Sequence, residues 1–217
     1  NPALTQTKLE YESHKNALSL ISGKYTLAIT GLSATDAISF KAPSANATLA
    51  LSVTDTATNI AANLDQLQVL AKTKAISSIM VSDNTNPITI SSAQLKSDAD
   101  ALKLLSASSN INVTNVTATD VSKISSTANV RSISITDTSA NLIKNIAVLE
   151  TLAASGKITN ITVSDGKALV LTESQIKASN HFLATQFTNK TNIEATAVAA
   201  ADVLSVQSLV NANANLT

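Results

Sequence analysis

Two hydrophobic rhythms alternate along the chain. Short runs such as Leu51–Asp55 (LSVTD), Ile133–Asp137 (ISITD) and Ile111–Val116 (INVTNV) are rich in β-branched residues that swap with polar ones. A period of two is that of a strand with one buried face. Between such runs the period lengthens. Ile60, Leu64, Leu67 and Ala71 lie on one stripe of a 3.6-residue helix. Burying each large aliphatic of that stripe is worth roughly 1.5–3 kcal/mol, so the stripe drives docking of the helix. A second strand is expected over 76–83 (ISSIMVSD), then a turn into ITISSAQLK and a second helix, with Leu95, Ala99 and Leu102 facing inward.

The same order returns about 82 residues later. Ser52–Ala71 reads SVTDTATNIAANLDQLQVLA, and Ser134–Ala153 reads SITDTSANLIKNIAVLETLA. In this register Asp55 meets Asp137, Asn59 meets Asn141, Asn63 meets Asn145, Leu67 meets Leu149 and Asp83 meets Asp165. The helical stripe recurs as Leu142, Ile146, Leu149 and Ala153, and the second helix finds counterparts in Ile176 and Leu183. A slide of about 84 residues aligns Tyr25–Asp36 (YTLAITGLSATD) with Ser109–Asp120 (SNINVTNVTATD). Ser91 with Gln94 and Thr172 with Gln175 each spell a capping box, and Thr7 with Glu10 supplies the same pair near the start. The pattern divides the chain into a partial copy at 1–49 and full copies at 50–131 and 132–217.

Strands that alternate with helices of this length imply parallel strands joined by right-handed crossovers. Crossovers that all turn one way wind a chain into a coil, and strands spaced ~22–32 residues apart suit a solenoid. The expected fold is therefore a continuous right-handed α/β solenoid with a parallel sheet and a period of about 82 residues. Equivalent aliphatics recur because each copy's core is completed by its neighbours.

Composition narrows the function classes. The chain has 217 residues, 15 basic and 15 acidic, with 44% hydrophobic and 2% aromatic residues. A neutral, evenly mixed chain has no electrostatic footprint for nucleic acid or an anionic membrane. There is no cysteine, which excludes disulfides, thiolate metal sites and thiol catalysis within this stretch. The most apolar late stretch, Ala195–Val206, is short and carries Asp202, so membrane insertion is not expected. The chain opens NPALTQ without an initiator Met, which points to a segment of a longer protein.

The wording SVTDTATNIAANLDQLQVLA, followed by ISSIMVSD and ITISSAQLKSDADAL, resembles the repeat regions of large secreted bacterial surface proteins. These include adhesins exported by type I secretion beside RTX modules and S-layer-like repeat proteins. The resemblance covers roughly residues 25–215 and implies an extended scaffold or adhesin stalk at the cell surface. The RTX nonapeptide G-G-x-G-x-D is absent from a chain with four glycines, so calcium is not carried over.

No catalytic, cofactor or metal residue set emerges. Asp36, Asp55, Asp83, Asp120, Asp137, Asp165 and Asp202 recur at element ends. Helix capping and turn formation account for them, with Asp55 and Asp137 at cap positions. A ladder of calcium sites is the weaker alternative, because each corner offers about one carboxylate and calcium takes six to eight oxygens. Asn59, Asn63, Asn141 and Asn145 flank the helical stripe and are expected to bond to the adjacent corner or the next coil. His14 and His181 have no metal-ligand companions in the sequence. The expected function is a non-enzymatic structural repeat segment that stacks and self-assembles with neighbouring repeats or subunits. The alternative is a glycan- or protein-binding module using one face, for which Asn180–Phe187 (NHFLATQF), with His181, Phe182 and Phe187, is the candidate patch.

Overall fold

A computed structural model describes residues 2–83, 86–188, 191–209 and 214–216 of the chain. Its contacts divide into two units, Asn1–Asn110 and Ile111–Thr217. The first unit runs β1 (Ala3–Thr7), α1 (Lys8–Ser19), β2 (Tyr25–Leu32), α2 (Ala34–Ser39), β3 (Ala47–Asp55), α3 (Ala57–Ala62), α4 (Leu64–Lys72), β4 (Ile76–Val81), β5 (Ile88–Ser91), α5 (Ser92–Ser97) and α6 (Ala99–Leu102). The second runs β6 (Ile111–Val116), α7 (Val121–Ser125), β7 (Val130–Asp137), α8 (Ser139–Lys144), α9 (Ile146–Ala154), β8 (Ile158–Val163), β9 (Leu169–Thr172), α10 (Glu173–Lys177), α11 (Asn180–Ala184), β10 (Thr191–Thr196), α12 (Val203–Leu209) and β11 (Ala214–Leu216).

Within the first unit β1, β2, β3 and β4 form one sheet in chain order, and every neighbouring pair is parallel. The register stacks like on like: Leu27 sits beside Leu49, Ile29 beside Leu51, and Val53 beside Ile79. In the second unit β6, β7 and β8 repeat this arrangement, with Val113 beside Ile133 and Ile135 beside Ile161. Strands β9, β10 and β11 form a further parallel set. The α/β class and the parallel pairing thus match the alternating pattern. The inward residues Leu27, Ile29, Leu51, Val53, Ile79, Ile133, Ile135 and Ile161 are all buried. The helices pack their aliphatic faces on this aliphatic core, which holds few rings.

Two helical expectations need correction. The stripe over 60–71 belongs to two helices, α3 and α4, which break at Asn63. Asn63 has φ −110° and ψ 9°, and its Nδ2 donates to the Asn59 carbonyl at 2.8 Å. Asn145 does the same, with φ −106°, ψ 11° and a 2.9 Å bond to the Asn141 carbonyl. Competition of a side-chain amide for the i−4 carbonyl bends a helix, which explains why this asparagine recurs. The stripe still faces inward: Ile60, Leu64, Leu67 and Ala71 are buried, as are Leu142 and Leu149, while Ile146 and Ala153 are half-buried. In the second helical stretch α5 breaks to α6 at Asp98, which rotates the inward face. Asp98 and Ala101 are buried there, Leu95 and Leu102 are half-buried, and Ala99 is exposed. Ile176 and Leu183 are buried as expected.

Repeat-equivalent corners use the left-handed backbone region with different residues. After α4, Lys74 has φ 58°, its N–H donates to the Ala71 carbonyl, and the Ala75 N–H donates to the Leu70 carbonyl. After α9, Gly156 has φ 70° and makes the same two bonds, with Lys157 in the outer place. This is the Schellman closure, for which glycine is the unstrained residue. A left-handed L-residue costs roughly 1–2 kcal/mol, and glycine's freer unfolded chain cancels part of the gain. Lys74→Gly is therefore expected to raise stability by about 0.5–1 kcal/mol, and Gly156→Lys to lower it similarly, in urea titrations.

Candidate functional site

The recurrent aspartates form the most regular polar feature. Parallel pairing brings the end of each inner strand beside the start of the helix that follows the preceding strand. Asp55, last in β3, turns one carboxylate oxygen back to the Ala34 N–H at the start of α2, at 2.9 Å. Its other oxygen accepts from the Thr56 N–H at 2.8 Å and from Asn59 Nδ2 at 2.7 Å. Asp137, last in β7, repeats all three contacts. It accepts from the Ala118 N–H at 2.8 Å, the Thr138 N–H at 2.8 Å and Asn141 Nδ2 at 2.8 Å.

The next aspartate in each copy does the same for the next helix. Asp83 accepts from the Ala57 N–H at 2.7 Å, and Asp165 from the Ser139 N–H and Oγ, both at 3.1 Å. The first amide of a helix has no intrahelical partner, and a carboxylate there also opposes the positive end of the helix dipole. Asp55 and Asp137 therefore do not cap their own following helices. Thr56 and Thr138 do so, accepting from the Asn59 and Asn141 N–H groups. The asparagines bond locally: Asn59 and Asn141 hold their aspartates, and Asn63 and Asn145 bend their helices. The remaining aspartates differ. Asp36 pairs with Lys8 at 2.6 Å, Asp202 with Lys177 at 3.2 Å, and the Asp120 N–H donates to Thr117 Oγ1.

The electrostatics follow from these contacts. Burial works against ionised Asp55, yet hydrogen bonds from Ala34, Asn59 and Thr56 outweigh it and hold its carboxyl below the usual range. Asn86 and the Ala57 N–H lower Asp83. Burial raises Asp165, but donors on Ser139 and Lys167 bring it below its ordinary value. Asp98 goes the other way: burial pushes it up, and the Asp65 carboxyl opposes its ionisation further. It is 3% exposed, Ser97 Oγ donates to one oxygen at 2.8 Å, and the other oxygen has no hydrogen-bond partner.

A second reach links the helices and was missed from sequence, although its residues align at the 82-residue spacing. Gln68 accepts from the Ala101 N–H at 2.8 Å. Glu150, its counterpart, accepts from the Phe182 N–H at 2.7 Å and the His181 N–H at 3.3 Å. The His181 ring lies 2.6 Å from Glu150 Oε1. His14 contacts Gln6 Nε2 at 3.1 Å. In the patch over 180–187 Phe182, Leu183 and Phe187 are buried, the two rings meeting edge-to-face at 5.9 Å, while Asn180, His181, Ala184 and Gln186 are exposed.

A groove of about 380 Å³ lies between α1 and the end of α2, where the Tyr11 and Phe40 rings meet tilted by 45° with centroids 4.6 Å apart. Its walls include Lys8 and Lys15, which pair with Asp36 and Glu12, and the Tyr11 hydroxyl donates to the Lys41 carbonyl at 3.0 Å. Among the described residues no group of three or more His, Cys, Asp or Glu side chains could hold a metal ion, and no helix is long and apolar enough to cross a membrane. Comparisons with protein-family models, with curated proteins and with solved structures return no match.

Proposed function

We propose that this chain is a non-enzymatic structural segment, a right-handed α/β solenoid with a period of about 82 residues, within a secreted bacterial surface protein. One observation carries the reading. The reach-back carboxylates recur in both copies with the same partners, Asp55 with Asp137 and Asp83 with Asp165. Asp55, Asp83 and Asp165 tie a strand end to the first residue of the helix before it, and Asp137 ties one to Ala118 in the turn that leads into α7. The strongest ionisable pattern in the chain is thus spent on holding successive turns together, which is what a load-carrying coil needs.

Parallel strands paired in chain order support the same reading, because each turn is completed by the next. The surface setting follows from the resemblance of the repeated SVTDTATN wording to bacterial surface repeats. The coil spaces and displays, and its edges meet neighbouring repeats or subunits. Immunogold electron microscopy on intact producing cells tests this reading. An ordered layer or extended projections carrying the label are expected. Label confined to the cell interior, or to a compact enzyme free in the medium, would overturn it.

A further inference from the structure

We infer that β1 and the corner after α1 form a docking face for another repeat of this chain's own type, joined ahead of it in the same polypeptide. The inference rests on the repeat alignment that underlies the proposed function, and it adds the partner and the surface. The capping boxes fix the correspondence: Thr7, Ser91 and Thr172 open equivalent helices, so β1, β5 and β9 are equivalent strands.

The two inner strands are covered by a helix from the preceding turn. Helix α3 packs on β5, and α8 packs on β9. Under that cover Ile88, Ile90, Leu169 and Leu171 are fully buried. Their counterparts on β1 are Leu4 and Gln6, which are only half-buried. The Gln6 amide oxygen is sealed from solvent without a hydrogen-bond partner.

A second mark lies on the same turn. After α6, Leu105 makes a parallel bridge to Ile79 of β4, and after α11 Phe187 makes one to Ile161 of β8. The Leu104 and Gln186 carbonyls accept from Ile79 and Ile161, whose own carbonyls accept from Ser106 and Thr188. The equivalent corner after α1 is Leu20–Ser22, and among the described residues it has no such bridge. Leu20 is 83% exposed there, whereas its counterpart Leu104 is half-buried.

The two marks call for one object. In the interior copies the helix cover and the bridging strand both come from a single strand–helix–helix–strand segment, β3 to β4 or β7 to β8. The missing partner must present the same segment. A second copy of the chain has none to offer, because both of its segments are already engaged by β5 and β9. A repeat placed immediately ahead has one free, in the right register.

The test is a tandem protein in which residues 1–86 precede residues 3–217, so that the downstream Ala3 takes the place of Pro87. The chain has no cysteine, so single thiols report cleanly. Leu4→Cys and Leu20→Cys are placed in the downstream copy and compared with the same changes in the single chain. Leu9→Cys is the control, since Leu9 is 81% exposed and its counterparts Ala93 and Ser174 are exposed as well. Thiol labelling at positions 4 and 20 is expected to slow by about tenfold or more in the tandem protein, with position 9 unchanged. A folded upstream segment with unprotected thiols overturns the docking face and leaves the proposed function standing. An upstream segment that stays unfolded by circular dichroism overturns both. Protection in the single chain, together with a dimer by light scattering, overturns the assignment in favour of a second copy.

Discussion

Asp137→Ala is expected to lower the unfolding free energy by about 3–4 kcal/mol, because hydrogen bonds to a charged acceptor are worth roughly 1.5–3 kcal/mol each and part of the loss is recovered by water. Asp137 is buried and serves three donors: the Ala118 N–H, the Thr138 N–H and Asn141 Nδ2. The Ala118 N–H suffers most. Ala118 is itself buried, so its amide is left without a partner where water cannot readily reach it. Thr138 and Asn141 are half-buried and rehydrate more easily. Asp137→Asn should cost less, about 1–2 kcal/mol, since it keeps the shape and one acceptor. Urea titration at pH 7 separates the two. A loss below 1 kcal/mol for the alanine variant would show that the reach-back contact does not hold the turns together.

The sister residues set the response to acid. Asp55, Asp83 and Asp165 titrate below the ordinary carboxylate range in the fold. The unfolded chain then binds more protons than the native one as pH falls, so their stabilisation is present above the unfolded carboxylate value and is lost as pH drops through the folded one. Asp98 has the opposite sign, because its folded value is raised. Its contribution is present at low pH and fades as pH rises through that folded value. Glu10, Asp36 and Glu173 are lowered as well, so six carboxylates against one make acid destabilising on balance, below about pH 4. Asp55→Asn should flatten the acid limb of the stability curve, and Asp98→Asn should steepen it.

What the sequence revealed depended on whether a residue's role was local or reached across turns. The capping boxes were legible because Thr7 and Glu10, Ser91 and Gln94, and Thr172 and Gln175 lie three residues apart and satisfy each other. The inward aliphatics of β3 and β7 were legible because burial of one strand face leaves an alternating trace. The aspartates were visible as recurrent but were assigned to the wrong helix. From sequence, Asp55 sits next to α3, while in the fold parallel pairing sets it beside α2, 21 residues back. The bend at Asn63 was hidden for a related reason: hydrophobic spacing runs straight through it, and only the side-chain bond to the Asn59 carbonyl marks the break. Gln68 and Glu150 share a slot but differ in charge, so a search for identical letters passed over them.

Phe182→Ala is expected to lose about 3–5 kcal/mol, the range for emptying a buried aromatic site. Phe182 is fully buried, its ring edge meets Phe187, and its N–H is fixed by Glu150. The corresponding residue in the preceding copy is Ala101, also fully buried, with Leu105 in the place of Phe187. Each copy has thus settled its own volume at this slot, and alanine alone leaves a cavity beside a ring shaped for its partner. His181→Ala should cost far less, about 1 kcal/mol or below, since a single polar contact from an exposed ring to Glu150 contributes little. The two variants separate core from contact surface. A binding patch predicts weakened ligand capture by both variants at nearly unchanged urea midpoints. A core pair predicts a large midpoint drop for Phe182→Ala alone, and the buried edge-to-face geometry favours that result.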